Sequence, residues 1–506
     1  MAKGEFCFPC NSIKKRTLSK LKQLANQTAI YGISTILVRS LSWLINPFHT
    51  YVFGENQSAV GIIIELYAYI AFINVILMYG METAFFRYAS KDKESQNKVF
   101  STAMISLFLS TGIFVAGISF FSQNIADLLQ YHTLQNIIIM LAFILGFDTL
   151  SNIPFAKLRL ENKPMKYIGV KLANVLITVG LNFFLLYPIL IGRPTLFGLN
   201  LNPTHGLYYV FAANLIASAV TFFIFVPNFL NTKFEFCRKT WNDLMRYGLP
   251  LIVVGLAGIV NETIDRILLK YLLPQESLEE RSAQIGIYGS VYKLAIFMSL
   301  VVQAYRMGAE PFFFKQAKDK DALLTAAKAM TLFVLMGLSI FLAVSFNLDI
   351  VILAVEESYR IAKDIVPILL MAYLFLGIFY NLSVWYKVGD KTHYAMFISI
   401  SGAIVTIAIN VLFIPKYGYW ASTWATFASY FVMTIISWLW GKKYYPVPYE
   451  LGKLLLYILF ALGLFILSKA VLIENLLHKI IFSNLLLIVF VGLAFFKDIK
   501  PLLNKR

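Results

Sequence analysis

Residues 59–87 read Ala59-Val-Gly-Ile-Ile-Ile-Glu65-Leu-Tyr-Ala-Tyr-Ile-Ala-Phe-Ile-Asn74-Val-Ile-Leu-Met-Tyr79-Gly80-Met-Glu82-Thr-Ala-Phe-Phe-Arg87. From Ala59 to Met81 the only charge is Glu65, and the stretch then closes on an acid, two aromatics and a base. A helix needs roughly 20 apolar residues to cross about 30 Å of hydrocarbon, so this segment reads as a membrane span. Similar stretches fall near 27–50, 99–121, 135–156, 167–191, 207–229, 247–273, 285–310 and 325–347. Others lie near 362–386, 394–414, 420–440, 453–472 and 481–496, so fourteen helices are expected, this one placed at 59–83. The first is too long for a cleavable leader and contains Arg39. Over the whole chain of 506 residues, 59% are hydrophobic and 14% charged. A soluble domain carries about a quarter charged residues, which excludes a string of soluble domains and a disordered chain.

The net charge of +17 gains its meaning from position. With the amino terminus cytoplasmic, 31 of the 44 Lys and Arg fall in inside segments, five outside and eight within spans. That asymmetry follows the positive-inside rule and removes the argument for nucleic acid. The implied plan is a basic tail (1–26), an N-lobe of six helices (27–229), a cytoplasmic linker (230–246), a C-lobe of six (247–440), and two last helices with a cytoplasmic carboxyl terminus (441–506). Trp420, Trp424, Trp438 and Trp440 mark the two interfaces of one span. Three cysteines are too few for a disulfide framework, and Cys7-x-x-Cys10 lacks a second pair or a histidine to make a metal site.

The two lobes echo each other. Glu82-Thr-Ala-Phe-Phe-Arg87 matches Glu310-Pro-Phe-Phe-Phe-Lys315, and Thr178…Asn182…Pro188 matches Thr406…Asn410…Pro415. Glu82 and Glu310 stand 228 positions apart, as do Asn182 and Asn410. Val60-Gly61-Ile62 and Ile285-Gly286-Ile287 also open alike. Six helices separate the copies, so both keep one orientation; parallel repeats of this kind characterise a class of secondary transporter with a central cavity.

Charges inside spans are expensive and mark function by default. Thr35, Arg39, Ser42 and Asn46 share one helical face, and Arg39 sits too deep to snorkel easily. Asn261, Glu262, Asp265, Arg266 and Lys270 crowd one span, where Glu262 and Arg266 are spaced to pair. Lys293 and Arg306 lie in the next, with Arg306 near Glu310. Lys171, Asn174, Thr178 and Asn182 form a polar stripe. Arg39, Arg266, Lys270, Lys293 and Arg306 suit an anion such as a phosphate or diphosphate, with Asn46, Asn182, Asn261 and Asn410 as polar lining. Glu65, Asp148, Glu262 and Asp265 are carboxylates able to bind a coupling H+ or Na+; Glu65, Asp148 and Glu262 could equally be counter-ions to unseen bases. There is no P-loop, no metal-ligand cluster and no long aqueous loop, so a secondary transporter is expected rather than an enzyme, with no cofactor beyond the coupling ion.

The stretch from Asn26 through Tyr31-Gly32 and Arg39 to Tyr79-Gly80-Met81-Glu82-Thr83-Ala84-Phe85-Phe86-Arg87-Tyr88, with Asp265-Arg266, resembles the polysaccharide (O-antigen or capsule repeat-unit) flippases. These belong to the multidrug/oligosaccharidyl-lipid/polysaccharide exporter superfamily. The tail Phe6-Cys7-Phe8-Pro9-Cys10 departs from that pattern and reads as a disordered extension. The resemblance implies transfer of an undecaprenyl-diphosphate-linked oligosaccharide across the bacterial inner membrane by alternating access. Glycosyltransferases and a polymerase of the same pathway would be partners. A drug or metabolite antiporter, or a flippase of the peptidoglycan lipid precursor, is the alternative.

Overall fold

The computed structural model describes residues 36–90, 96–193, 195–196, 199–230, 232–275, 277–316, 322–389, 391, 393–471 and 473–500. The Cys7/Cys10 tail and the start of the first span lie outside these residues. A helical stretch from 36 leads into α1 (Ile45–Phe53), then α2 (Gln57–Met78) and α3 (Met81–Ala89). The N-terminal half continues with α4 (Gln96–Phe120), α5 (Ser122–Leu128), α6 (Gln135–Leu160), α7 (Pro164–Leu190) and α8 (Gly206–Leu230). The C-terminal half holds α9 (Arg238–Leu272), α10 (Leu278–Tyr292), α11 (Ile296–Gln316), α12 (Ala322–Phe346), α13 (Leu348–Val351), α14 (Ile365–Leu382), α15 (Val384–Val388), α16 (His393–Tyr417) and α17 (Tyr419–Tyr444). Two final helices, α18 (Leu451–Ala470) and α19 (Leu476–Ala494), close the chain. A strand pair of two residues each, Thr195–Leu196 with Leu199–Asn200, is the extent of β-structure among the described residues.

Twelve helices among the described residues are long and apolar enough to cross a membrane. The helix α17 falls outside that set yet is 26 residues long. Its Ser422, Thr423, Thr426, Ser429, Thr434 and Ser437 lower its hydropathy, and all six are buried against α14 and α16 rather than turned to lipid. With α17, thirteen helices among the described residues match expected spans; the first, placed at 27–50, is described only from residue 36 onward.

Two boundaries differ from the sequence reading for physical reasons. The span placed at 59–83 breaks at Tyr79 and Gly80, both in the left-handed region (φ 32° and 70°), because Gly80 meets the backbone of Gly248. The span placed at 247–273 begins at Arg238, so half of the expected linker is helical. That extra length is amphipathic: Leu244 is buried in the N-terminal core and Trp241 donates to Ser106 Oγ at 3.0 Å.

Helices α4, α6, α7 and α8 pack as one lobe and α12, α14, α16 and α17 as another. Helices α2 and α10 join them along a glycine seam. A Cβ on Gly61 would overlap Ser282 O, and one on Gly286 would overlap Gln57 O. The contact is reciprocal, as two-fold-related copies require. Pairs at this seam stand 225 positions apart, three fewer than Glu82 and Glu310. The extra three residues fall in the stretch holding a 3-10 turn, Lys293–Ala295, between α10 and α11.

Candidate functional site

Charges in the spans sort into neutralised and unneutralised groups. Glu65 on α2 and Lys270 on α9 are both fully buried, with Lys270 Nζ 2.8 Å from Glu65 Oε1. The ammonium also donates to Leu129 O at 2.6 Å and lies 3.7 Å over the Tyr131 ring. The Tyr131 hydroxyl donates to the other Glu65 oxygen. Of the two readings open for Glu65, the structure shows the counter-ion. Lys270, expected to hold an anionic ligand, is enclosed and spent on this pair in the present conformation. The pair sits beside the glycine seam and ties the lobes at their lysine-poor end.

One turn earlier on α9, Asp265 Oδ1 bonds Arg266 Nη1 at 2.8 Å, and Tyr288 donates to Asp265 Oδ2 at 2.5 Å. Arg266 also donates to the Glu262 carbonyl and lies 4.3 Å over Tyr292. The expected pairing of Glu262 with Arg266 side chains is therefore replaced by Asp265 with Arg266. The Glu262 carboxylate is exposed and makes no ion pair among the described residues. Tyr292 continues to Tyr373 through a 3.1 Å hydroxyl bond.

Lys293 occupies the 3-10 turn. Its side chain is exposed and its Nζ donates to Asn46 Oδ1 at 3.0 Å, while Trp43 Nε1 donates to Lys293 O at 3.0 Å. Asn46 further reaches Ser290 O at 3.4 Å. Among the described residues no carboxylate pairs with Lys293 or with Arg39, which is also exposed. Arg39 lies four residues before Trp43, one turn along the helix that carries the Trp43 and Asn46 contacts to Lys293. Arg306 is exposed and stacks 4.7 Å over Tyr380.

The other asparagines are placed differently from the expected cavity lining. Asn182 Nδ2 bonds Thr178 O and Asn410 Nδ2 bonds Thr406 O, both at 2.8 Å, which shows the repeat in atomic detail. Their carbonyl oxygens meet His49 Nε2 at 2.8 Å and Ser422 Oγ at 2.7 Å. Asn261 accepts from Thr406 and Ser429, each at 3.2 Å. All three are buried and fasten helices together, since a buried amide must satisfy both ends. Asp148 is half-buried on α6, in the electrostatic neighbourhood of Lys171 on α7. Sequence reasoning missed Tyr131, His49 and the tyrosines around Arg266. Only His49, an imidazole in an apolar run, carried a local signal.

The described residues thus form two helical lobes joined through charged and glycine-lined helices, with a further pair of helices beside them. The chain belongs to the polysaccharide biosynthesis protein family, whose model matches residues 24–317. No curated protein sequence matches it. Among solved structures it is similar to the lipid II flippase MurJ in an inward closed conformation, with a TM-score of 0.71 at 15% identity over 92% of this chain and 99% of that one. It is also similar to a multidrug resistance MATE family transporter. The inward-facing form gives a TM-score of 0.61 at 15% identity, covering 82% and 97% of the two chains. The outward-facing form gives 0.56 at 16% identity, covering 82% and 95%.

Proposed function

We propose that the chain moves an undecaprenyl-diphosphate-linked oligosaccharide from the cytoplasmic to the periplasmic leaflet of a bacterial inner membrane. In this reading both termini are cytoplasmic and the two lobes rock about α2 and α10. The supporting observation is two cations with no ion pair among the described residues, Lys293 and, on the helix whose Trp43 and Asn46 bond it, Arg39. Lys293 is held by a neutral amide, Asn46, rather than by a carboxylate. A site built that way keeps its positive charge for an incoming diphosphate, which favours several donors. Arg306, exposed over Tyr380, extends the cationic surface, whereas Arg266 is held by Asp265 on its own helix. Asp148 and Glu262 are the carriers of a coupling H+ or Na+; Asp265 is already committed to Arg266 and Tyr288. Glycosyltransferases that build the unit and a polymerase that consumes it would be the working partners.

The decisive experiment is transport of a defined lipid-linked oligosaccharide in reconstituted vesicles. The wild type should flip the substrate. Arg39→Ala with Lys293→Ala should lower the rate at least ten-fold, the loss of two charge-assisted bonds worth about 1.5–3 kcal/mol each. Unchanged flipping by the double variant would remove the cationic site. A second reading, export of a cationic drug or metabolite, draws on the exposed Glu262; loss of organic-cation efflux in Glu262→Gln with intact lipid flipping would favour it.

A further inference from the structure

Away from the seam, the lysine-rich end of the N-terminal lobe holds a cleft of about 600 Å³. Lys98 on α4, Lys157 on α6, Lys166 on α7, Lys163 just before α7 and Lys233 after α8 all line it. Positive-inside topology asks only that lysines be on this side; it does not ask that four elements aim them at one cavity. Two acids also line it, Glu161 and Glu235. Glu161 is taken by Lys163 at 2.7 Å, which leaves four lysines facing one carboxylate. The Lys157 ammonium is steadied 4.3 Å over the Phe100 ring. Asn97, Asn228 and Thr232 supply neutral polar groups. The volume suits a small ligand, and the lysine excess selects its charge.

We infer that this cleft binds a phosphate-bearing anion, either the headgroup of an anionic phospholipid or a free polyphosphate, at a place apart from Lys293 and Arg39. It lies wholly within one lobe, so its ligand need not cross the membrane. It goes beyond the proposed transport reading and does not depend on it.

Cys237 provides a reporter. It lies two residues along the chain from the lining Glu235 and within electrostatic reach of the lining Lys98; the Thr240 hydroxyl, with help from Lys98, brings its thiol down to about 7. An anion in the cleft adds negative charge beside the thiolate. A rise of about half a unit would cut the thiolate fraction at neutral pH from about one half to about one quarter, a roughly two-fold slower reaction with maleimide. The measurement uses the full chain with Cys7→Ser and Cys10→Ser, in nanodiscs of phosphatidylcholine with or without phosphatidylglycerol, and with or without inorganic pyrophosphate. Slowing by pyrophosphate in phosphatidylcholine identifies a free polyphosphate site. Slowing by phosphatidylglycerol alone identifies a lipid headgroup site. In either case Lys157→Gln with Lys166→Gln and Lys233→Gln should abolish the slowing, whereas Lys479→Gln at the far end should keep it. No slowing by either anion, or slowing that persists in the triple variant, overturns the proposal.

Discussion

At the residue scale, the informative pair is Glu65 with Lys270. Removing two ions from water costs several kcal/mol each, and only close geometry with further hydrogen bonds offsets it. Here Tyr131 and the Leu129 carbonyl supply those bonds. Lys270→Ala would leave a buried, unmatched carboxylate and should destabilise the protein by about 3–5 kcal/mol. Glu65→Gln together with Lys270→Met should recover most of that loss. Thermal unfolding in detergent checks both; a single variant as stable as wild type would show that the pair does not hold the lobes. Neither residue could be assigned from sequence, because 205 positions separate them and each alone looks like a ligand.

Elements carry two further expectations. The seam of α2 and α10 exists because Gly61 and Gly286 have no Cβ to hold the backbones apart. Gly61→Val should push the helices apart at a cost of about 1–3 kcal/mol, the usual penalty of overpacking. A cysteine placed at the buried Ser282 should then react with maleimide at least about five-fold faster, since 1 kcal/mol shifts a two-state population by about that factor. No change in labelling would mean that the seam is not under tension from side chains. Helices α18 and α19 pack on α12, where Asn347 and Asn484 exchange amide bonds at 3.0 and 3.2 Å. In the short helix α13 that follows, Asp349 is bonded by Lys479 at 2.6 Å and Lys363 at 3.3 Å. The Lys479 bond, opposed in part by burial, holds the Asp349 carboxyl below its ordinary value. The folded group thus releases its proton more readily than the unfolded one. Its contribution is present above the ordinary carboxylate value near 4 and is lost as pH falls through the lowered one. Asp349→Asn should therefore weaken docking of α18 and α19 at neutral pH while flattening its loss in acid, as limited proteolysis of the 441–450 segment across pH would show.

For the whole molecule, the spans were legible because each depends on a local property, enough apolar residues to cross a bilayer. Even α17 was legible by length and by its terminal tryptophans, although its inward face is polar. The repeat was legible through Asn182 and Asn410, which repeat the same bond to a threonine carbonyl one turn back. The extension of α9 to Arg238 was not, since its first turns are stabilised by Ser106 and the N-terminal core rather than by their own pattern. The same holds for the cations: Lys270 and Lys293 look alike in sequence, yet one is sealed in an ion pair and the other is exposed beside an amide.

The sequence by itself determined the membrane class, the many-span helical plan with its two copies, and the scarcity of charge that makes each buried ion meaningful. These follow from hydrocarbon thickness and from backbone hydrogen bonds that a helix satisfies within itself. Only the tertiary structure decided which charges cancel. Cancellation depends on how each helix is rotated and on which distant helix stands against it, and no window of sequence contains that information.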